Sequence, residues 1–282
     1  MQVETTRQEV ARPDPTKPLV SVVTVSLNAA RTIGDTIASV SMQKTAFALE
    51  HICVDGGSVD ETRALIDAWA VRCRHIVRIY EPDTGLFDAM NKGLRAAKGE
   101  YVIFLNADDF LVASHTVANA MAGLKPGEQG NPDIVAGGVT MGVPGVWGIW
   151  WHLLVPRLLG RVRGLGLFPP HPAQFTKRSR LDAVRGFNTE LRTAADVAQY
   201  YELERKFQPT VRRLRCDVAF MRAGGKSNQD FGARYRGARE LHKNLSESYT
   251  PARAAVMVAV KSAQILMGLR IGRCPHGRWF VD

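Results

Sequence analysis

The chain has 282 residues, 45% of them hydrophobic and 23% charged, which suffices for a sizeable core in one large domain, with or without an appendage. The net charge of +10 arises entirely from residues 203–282, with 16 basic and 6 acidic side chains, whereas residues 1–202 carry 21 of each. The four scattered cysteines form no CxxC pair, which argues against a zinc site, and no run of about 20 apolar residues predicts a membrane-spanning helix.

Strands and helices alternate along the first half of the chain. Residues 1–18 form a polar lead-in without a signal-peptide pattern, which suits a cytoplasmic compartment. Apolar runs predict strands at Leu19–Leu27, His51–Val54, Ile76–Tyr80 and Tyr101–Leu105, and a further strand from Asp133. Between them, helices are predicted over Arg31–Gln43, after a capping box of Ser58 and Glu61, over Leu86–Ala97 with Leu86, Met90 and Leu94 on one stripe, and near Ser114–Gly123. This alternation predicts an α/β protein with a mostly parallel sheet sandwiched by helices.

The second half of the chain has a different composition. The segment Val143–Phe168 holds three tryptophans and three arginines but no acid. It is either an interfacial segment at a membrane surface or a helix packed on the sheet with its arginines extended to water. A helix over Thr193–Phe207, a mobile loop at Gly224–Asn228 and a basic amphipathic helix near Ala252–Leu269 follow. We expect domain boundaries near residues 18, 140 and 230, with 231–282 as a basic helical tail.

Acidic side chains follow three of the predicted strands, at Asp55, at Asp83 and at the pair Asp108 and Asp109. Because parallel strands end at the same edge of a sheet, where ligands bind in α/β folds, these acids are expected to lie close together. Adjacent carboxylates repel each other and favour a bound cation, and their hard oxygens suit Mg²⁺ or Mn²⁺. A solvated turn with helix-capping acids is the alternative for an isolated Asp-Asp. Three acidic strand ends favour a site for a polar ligand and a metal.

Four segments resemble, in order and spacing, the successive motifs of family 2 glycosyltransferases. They are Leu19–Asn28, Val54–Thr62, Asp83–Gly93 and Phe104–Asp109. They look most like those of bacterial enzymes of exopolysaccharide (colanic-acid-like), capsule and lipopolysaccharide synthesis. The resemblance implies a Rossmann-like GT-A fold with a nucleotide-sugar-binding half at residues 19–140 and an acceptor-binding half at 141–230. It also implies a Mn²⁺ or Mg²⁺ cofactor and inversion at the anomeric carbon.

The resemblance also assigns roles to individual residues. The nucleoside would contact residues at three strand ends: Leu27 and Asn28 after the first strand, Asp55 after the second and Asp83 after the third. Asp108 would hydrogen-bond the ribose, and Asp109 would bind the metal. Asn91 and Lys92 would lie near the phosphates. The general base would be Asp196, although Ala195 stands where the family often has Glu, and Glu202 is the reserve candidate. Two weaker candidates come from the residues themselves and not from the resemblance. His171 is a candidate for the metal or the acceptor, although a structural histidine beside Pro170 and Pro172 is favoured. Lys226, on the Gly-Gly loop, is a candidate for closure over the diphosphate.

We therefore expect an inverting glycosyltransferase that moves a sugar from a UDP- or GDP-linked donor to a saccharide. The acceptor is expected to be linked to polyprenyl diphosphate at the inner face of the plasma membrane, where the basic tail contacts anionic lipid. One alternative is a nucleotide-sugar-binding protein with altered catalysis, since Ala195 departs from the family. A nucleotidyltransferase is disfavoured because the loop Asn28–Thr32 lacks glycine. A nucleic-acid-binding module is disfavoured because aromatic residues are sparse among the basic residues of the tail.

Overall fold

The computed structural model describes residues 17–153, 169–223, 231–267 and 269–273. The first half of the chain contains β1 (Val20–Ser26), α1 (Ile33–Ser41), β2 (Leu49–Asp55), α2 (Thr62–Arg72), β3 (Ile76–Tyr80), α3 (Leu86–Ala96), β4 (Tyr101–Phe104), β5 (Phe110–Leu111), α4 (Thr116–Met121) and β6 (Ile134–Gly142). The second half contains β7 (Trp147–Leu153), β8 (Gln174–Lys177), α5 (Arg178–Ala183), α6 (Ala195–Phe207), β9 (Val211–Arg222), α7 (Phe231–Ser248), α8 (Pro251–Met267) and β10 (Leu269–Arg273).

One mixed sheet runs through the whole fold, with the strand order β10-β7-β6-β8-β4-β1-β2-β3. Strands β4, β1, β2 and β3 are parallel, as predicted from the alternating pattern. Strand β8 lies antiparallel between β4 and β6, and β7 and β10 continue antiparallel to the edge. Strand β9 pairs with β6 and with the short β5. The predicted α/β sheet is therefore confirmed, and its parallel pairs are those of β4, β1, β2 and β3 in the first half together with the pair of β6 and β9.

Strands β1, β2 and β4 are buried almost throughout, whereas β3, at the edge of the sheet, is buried only at Ile76. All seven residues of β1 are buried: Val22 packs in the cluster on one face and Val23 in the cluster on the other. Helix α3 covers the second face with Phe87, Met90 and Leu94, whereas Leu86, predicted to lie on one stripe with Met90 and Leu94, is exposed. Each such buried side chain contributes about 1.5–3 kcal/mol to stability. The sheet thereby fixes where the ends of β1–β4 lie.

Several local predictions need correction. Helix α2 begins at Thr62 and has no side-chain cap, so Ser58 and Glu61 form no capping box. Part of the segment Val143–Phe168 forms β7, because its backbone pairs with β6 and β10, while residues 154–168 lie outside the described ranges. The tail contains helices α7 and α8, as expected, but also the unpredicted strand β10. Lys226 and its glycine-rich loop fall outside the described residues.

Helices α7 and α8 are the longest helices in the described ranges. Within those ranges, no helix has both the length and the apolar character needed to cross a membrane.

Candidate functional site

The loops after β1 and β2 are bonded to each other at the edge of the sheet. The amide of Asn28 donates to Ser58 Oγ at 2.8 Å, and Asn28 Oδ1 accepts from the amide of Val59 at 2.9 Å. The next bond joins the amide of Ala30 to Asp60 Oδ2 at 3.1 Å. Asn28 has a φ of 53°, a left-handed conformation that asparagine tolerates better than most residues. The two loops therefore form one braced rim, in which Asn28 is a fixed member.

Asp55, at the end of β2, is fully buried within this rim. One carboxylate oxygen accepts from Arg63 Nε at 2.6 Å and from the amides of Gly57 and Ser58 at 3.2 and 2.9 Å. The other accepts from the hydroxyls of Ser26 and Ser58 at 3.1 and 2.5 Å. Burial opposes ionisation, but the hydrogen bonds from Ser58 and Arg63 outweigh it and hold the pKa of Asp55 below its usual range. Asp55 thus organises the loop, and its expected contact with a nucleobase stays a prediction.

Asp83 follows β3 and lies directly against the loop after β2. A Cβ atom added to Gly56 would stand only 1.8 Å from Asp83 Oδ2, so this contact requires glycine. The other carboxylate oxygen accepts from the amide of Gly85 at 3.0 Å. Burial raises the pKa of Asp83, and the charge of Lys92 acts in the opposite direction. The structure therefore brings Asp83 beside Asp55 at one edge, as the positions of the strand ends predict. Leu27, on the same rim, is exposed.

Lys92 is held by the loop that precedes its own helix. Its ammonium group donates to the carbonyl oxygen of Pro82 and lies 3.7 Å from a carboxylate oxygen of Glu81 and 3.8 Å from one of Asp88. The side chain is only 13% exposed. These partners indicate that Lys92 fastens the β3–α3 loop, a role that differs from the predicted phosphate contact.

Asn91 connects the two halves of the protein. Its Nδ2 donates to the carbonyl oxygen of Phe187 at 2.9 Å, and its Oδ1 accepts from the amide of Phe187 at 2.8 Å. The ring of Phe187 meets that of Phe104 edge-on, with centroids 4.9 Å apart, and that of His171 at 5.6 Å. The polar atoms of Asn91 are therefore engaged by a backbone, because the turn at Phe187 folds onto α3. The predicted location near the phosphates did not anticipate this contact.

The acid pair follows β4. Asp109 is 2% exposed, and its carboxylate receives a hydrogen bond from the backbone amide of Arg222 and a 3.4 Å contact from Asn106 Nδ2. Burial raises the pKa of both acids, and the charge of Asp108 raises that of Asp109 further. Among the described residues, Asn106 Oδ1 is buried without a hydrogen-bond partner. Two carboxylates and a spare amide oxygen are hard donors that fit a divalent cation.

Two observations delimit this candidate metal site. In residues 17–153, 169–223, 231–267 and 269–273, no group of three or more His, Cys, Asp or Glu side chains converges, so a bound cation would need further ligands from substrate or water. Arg222 also faces the acids, with its guanidinium ion-paired to Asp35 and 5.4 Å from the ring centroid of Phe110. Sequence reasoning missed Arg222, because it comes from the end of β9 and no local pattern marks it.

Asp196 and His171 approach the site from the second half of the chain. Asp196 is partly exposed in the first turn of α6. His171 stacks on Phe104 with ring centroids 5.3 Å apart, and its Nε2 is buried with no partner in the part of the chain described. Burial lowers the pKa of His171, while the nearby charge of Asp196 acts to raise it. The structure thus places the two predicted residues within electrostatic reach of each other.

Glu202 does not fit its reserve role as general base. Its carboxylate forms two hydrogen bonds with Arg205, at 2.9 and 3.0 Å, and a 3.0 Å ion pair with Lys206. The hydrogen bond from Arg205 holds the pKa of Glu202 below its usual range. Six residues beyond Asp196, it also lies about 9 Å further along the helix axis. A carboxylate so neutralised and so placed is a poor proton acceptor at the Asp196 site.

Known proteins are similar to this chain in sequence and in fold. Residues 21–194 match the family model described as glycosyl transferase family 2. A PGL/p-HBAD biosynthesis glycosyltransferase of Mycobacterium bovis is 33% identical over 181 residues, which cover 64% of this chain and 67% of the relative. The putative teichuronic acid biosynthesis glycosyltransferase TuaG of Bacillus subtilis is 43% identical over 94 residues, 33% of this chain and 37% of TuaG.

Two solved structures have the same fold. TarS of S. aureus in complex with UDP-GlcNAc superposes with a TM-score of 0.63 at 17% identity, over 87% of this chain and 72% of that one. The mannosyltransferase PcManGT of Pyrobaculum calidifontis in complex with GDP-Man and Mn²⁺ superposes with a TM-score of 0.59 at 22% identity, over 88% of this chain and 71% of PcManGT. These likenesses confirm the predicted Rossmann-like GT-A fold. Because the family match spans more than half of the chain, the protein belongs to glycosyl transferase family 2.

Proposed function

We propose that this glycosyltransferase moves a sugar from a nucleoside diphosphate donor to a saccharide hydroxyl in cell-surface glycan synthesis. The observation that carries the proposal is the acid pair Asp108 and Asp109, which follows β4 beside the braced rim of Asn28 and Asp55. The relatives named for PGL/p-HBAD and teichuronic acid biosynthesis support the glycan assignment. The TarS and PcManGT complexes, which hold UDP-GlcNAc and GDP-Man, support a UDP- or GDP-linked donor.

A divalent cation, Mn²⁺ or Mg²⁺, would be held by Asp108, Asp109 and Asn106 Oδ1. The Mn²⁺ in the PcManGT complex supports this part of the proposal. When bound, the cation supplies positive charge against the leaving diphosphate. Asp108 is the better direct ligand because its carboxylate is partly exposed, whereas Asp109 is buried and braced by Arg222. This exchanges the contacts with metal and ribose that the resemblance implies for the two acids.

Asp196 would act as the general base that takes the proton of the acceptor hydroxyl. Inversion needs one carboxylate on the face of the sugar opposite the leaving group and no covalent intermediate. Ala195 is fully buried in the core, so a glutamate at that position would place a charge among apolar side chains. His171, kept neutral by burial, would orient the hydroxyl through its free Nε2. The rings of Phe104 and Phe187 would exclude water on that side.

A polyprenyl-diphosphate-linked acceptor and peripheral contact with an anionic membrane at its inner face complete the proposal. The positive charge of residues 203–282 supports both, since lipid and diphosphate are anionic. Val143 and Val146, between β6 and β7, and Trp147, the first residue of β7, are exposed and suit an interfacial contact. Sedimentation with phosphatidylglycerol vesicles at low salt tests this part, and recovery of the protein in the supernatant would count against it.

The donor site is tested by calorimetric titration with UDP and GDP, with and without Mn²⁺. We expect one nucleotide to bind only with metal present, and Asp108→Asn to weaken that binding at least tenfold, about 1.4 kcal/mol. The same titration on Asp109→Asn measures how much the buried acid of the pair contributes to nucleotide binding. The matched control is Asp182→Asn, which removes an exposed acid paired with Arg178 on α5. If neither nucleotide binds in the presence of metal, the proposed donor chemistry is wrong.

A further inference from the structure

A cavity of about 320 Å³ lies between the turn at 184–188, helix α6 and helix α7. Its walls include Phe187, Gln199, Tyr201, Glu202 and Tyr249. We infer that this α6–α7 pocket is a second saccharide-binding site, which holds a sugar residue of the acceptor away from the reacting hydroxyl. The inference rests on the proposed function for the identity of the acceptor.

Two polar groups in the walls lack partners. Gln199 and Tyr201 are 6% and 2% exposed, and among the described residues Gln199 Nε2 and Tyr201 OH form no hydrogen bond. Leaving a buried donor unsatisfied costs about 1–3 kcal/mol, so two such groups in one pocket are a substantial burden on the free protein. A ligand that accepts hydrogen bonds at this position would remove that cost.

The composition of the walls indicates an uncharged, hydroxyl-rich ligand. The basic side chains Arg185 and Arg205 offset the acidic Glu202 and Glu247, so the pocket has no net formal charge. A diphosphate would favour a cationic pocket instead. The ring of Tyr249 provides an apolar surface beside these polar groups, a combination that suits the apolar face and the hydroxyls of a pyranose. Typical ligand sites have volumes of about 300–1,000 Å³, so this pocket is at the lower limit of that range and fits one sugar residue.

The pocket is adjacent to the proposed reaction site. Phe187 lines the pocket and also packs its ring against His171 and Phe104. Helix α6 carries Asp196 in its first turn and Tyr201 about 7.5 Å further along the axis. Helices α6 and α7 lie beyond residues 21–194, so these walls come from the part of the chain outside the family match. The pocket is therefore a place where acceptor preference can differ between relatives.

Saturation-transfer NMR on the full chain tests the inference with methyl glycosides of glucose, galactose, mannose, rhamnose and N-acetylglucosamine at about 10 mM. We expect at least one glycoside to bind. Tyr201→Phe and Gln199→Met should each reduce its saturation transfer at least fivefold. Neither change should lower the thermal unfolding midpoint, because each removes an unpaired polar group and keeps the volume. The control Lys243→Ser alters an exposed residue of α7 and should leave binding unchanged.

Two results would overturn the inference: no glycoside binds the wild type, or binding persists in both folded variants. Competition with nucleotide separates the two sites. Glycoside binding in the α6–α7 pocket should survive saturation with UDP or GDP and Mn²⁺ and should survive Asp108→Asn. If binding is lost in Asp108→Asn, the sugar occupies the donor site and the inference fails. If glycosides bind as expected but no nucleotide does, the proposed function is wrong, whereas the inference that the α6–α7 pocket binds a saccharide is retained.

Discussion

Replacing Asn91 by alanine would distinguish a structural residue from a phosphate ligand. The substitution removes two hydrogen bonds, of 2.9 and 2.8 Å, to the backbone of Phe187. Each bond contributes about 1 kcal/mol net, and an amide and a carbonyl left without partners add to the loss because Phe187 is 3% exposed. We therefore expect Asn91→Ala to lower the free energy of unfolding by about 2–4 kcal/mol.

Urea unfolding followed by tryptophan fluorescence measures that loss, and calorimetry measures nucleotide affinity in the same samples under native conditions. The bonds to Phe187 predict a large loss of stability with nucleotide affinity within about threefold of wild type. Arg95→Ala, on the exposed face of the same helix, should change neither quantity. The reasoning is refuted if Asn91→Ala unfolds at the wild-type urea concentration but binds nucleotide more than tenfold more weakly.

Three further predictions concern a buried histidine, a strand-end contact and the general base. Burial lowers the pKa of His51 to about 3, against 6.5 for an unperturbed histidine, so the unfolded chain gains a proton that the folded chain does not as pH falls below 6.5. Urea titrations should show wild type losing about 2 kcal/mol more stability than His51→Gln between pH 6.5 and 5, and equal losses would contradict this. Gly56→Ala should displace the Asp83 carboxylate and weaken nucleotide binding about tenfold by calorimetry. In a protein that already carries Asp83→Ala, the same glycine substitution should cause no further weakening. In assays of sugar transfer, Asp196→Asn should reduce turnover at least about 100-fold and Glu202→Gln less than about twofold, and the reverse order would move the base to Glu202.

The parallel half of the fold could be predicted because its signals are local. Strand β4 is an unbroken apolar run and β1 is rich in valine, and parallel strands place their carboxyl ends at one edge. The position of Asp83 beside Asp55 follows from that rule alone. The antiparallel half gave no such signal, because β8 enters between β4 and β6 from far along the chain. Pairing over such separations depends on tertiary packing that a single sequence does not display.

The site was predicted by residue type better than by contact. The acids Asp108 and Asp109 are recognisable from their place after β4, but their unequal burial depends on β9, which supplies Arg222. Lys92 and Asn91 have the chemistry of phosphate ligands, yet neighbouring backbone atoms engage both side chains. A side chain's type shows which bonds it can form. Only the packed fold shows which partners reach it first.

The pairing of β10 with β7 has a consequence for folding during synthesis. Strand β7 leaves the ribosome more than a hundred residues before β10, and until then its outer backbone amides and carbonyls have no strand beside them. An open strand edge is a template for pairing with another chain. Nascent molecules are therefore most exposed to misassociation in that interval, and a chain shortened before Leu269 would keep the edge open permanently. Strand β10 thus covers the backbone edge of β7 and, among the described residues, replaces it as the outermost strand of the sheet.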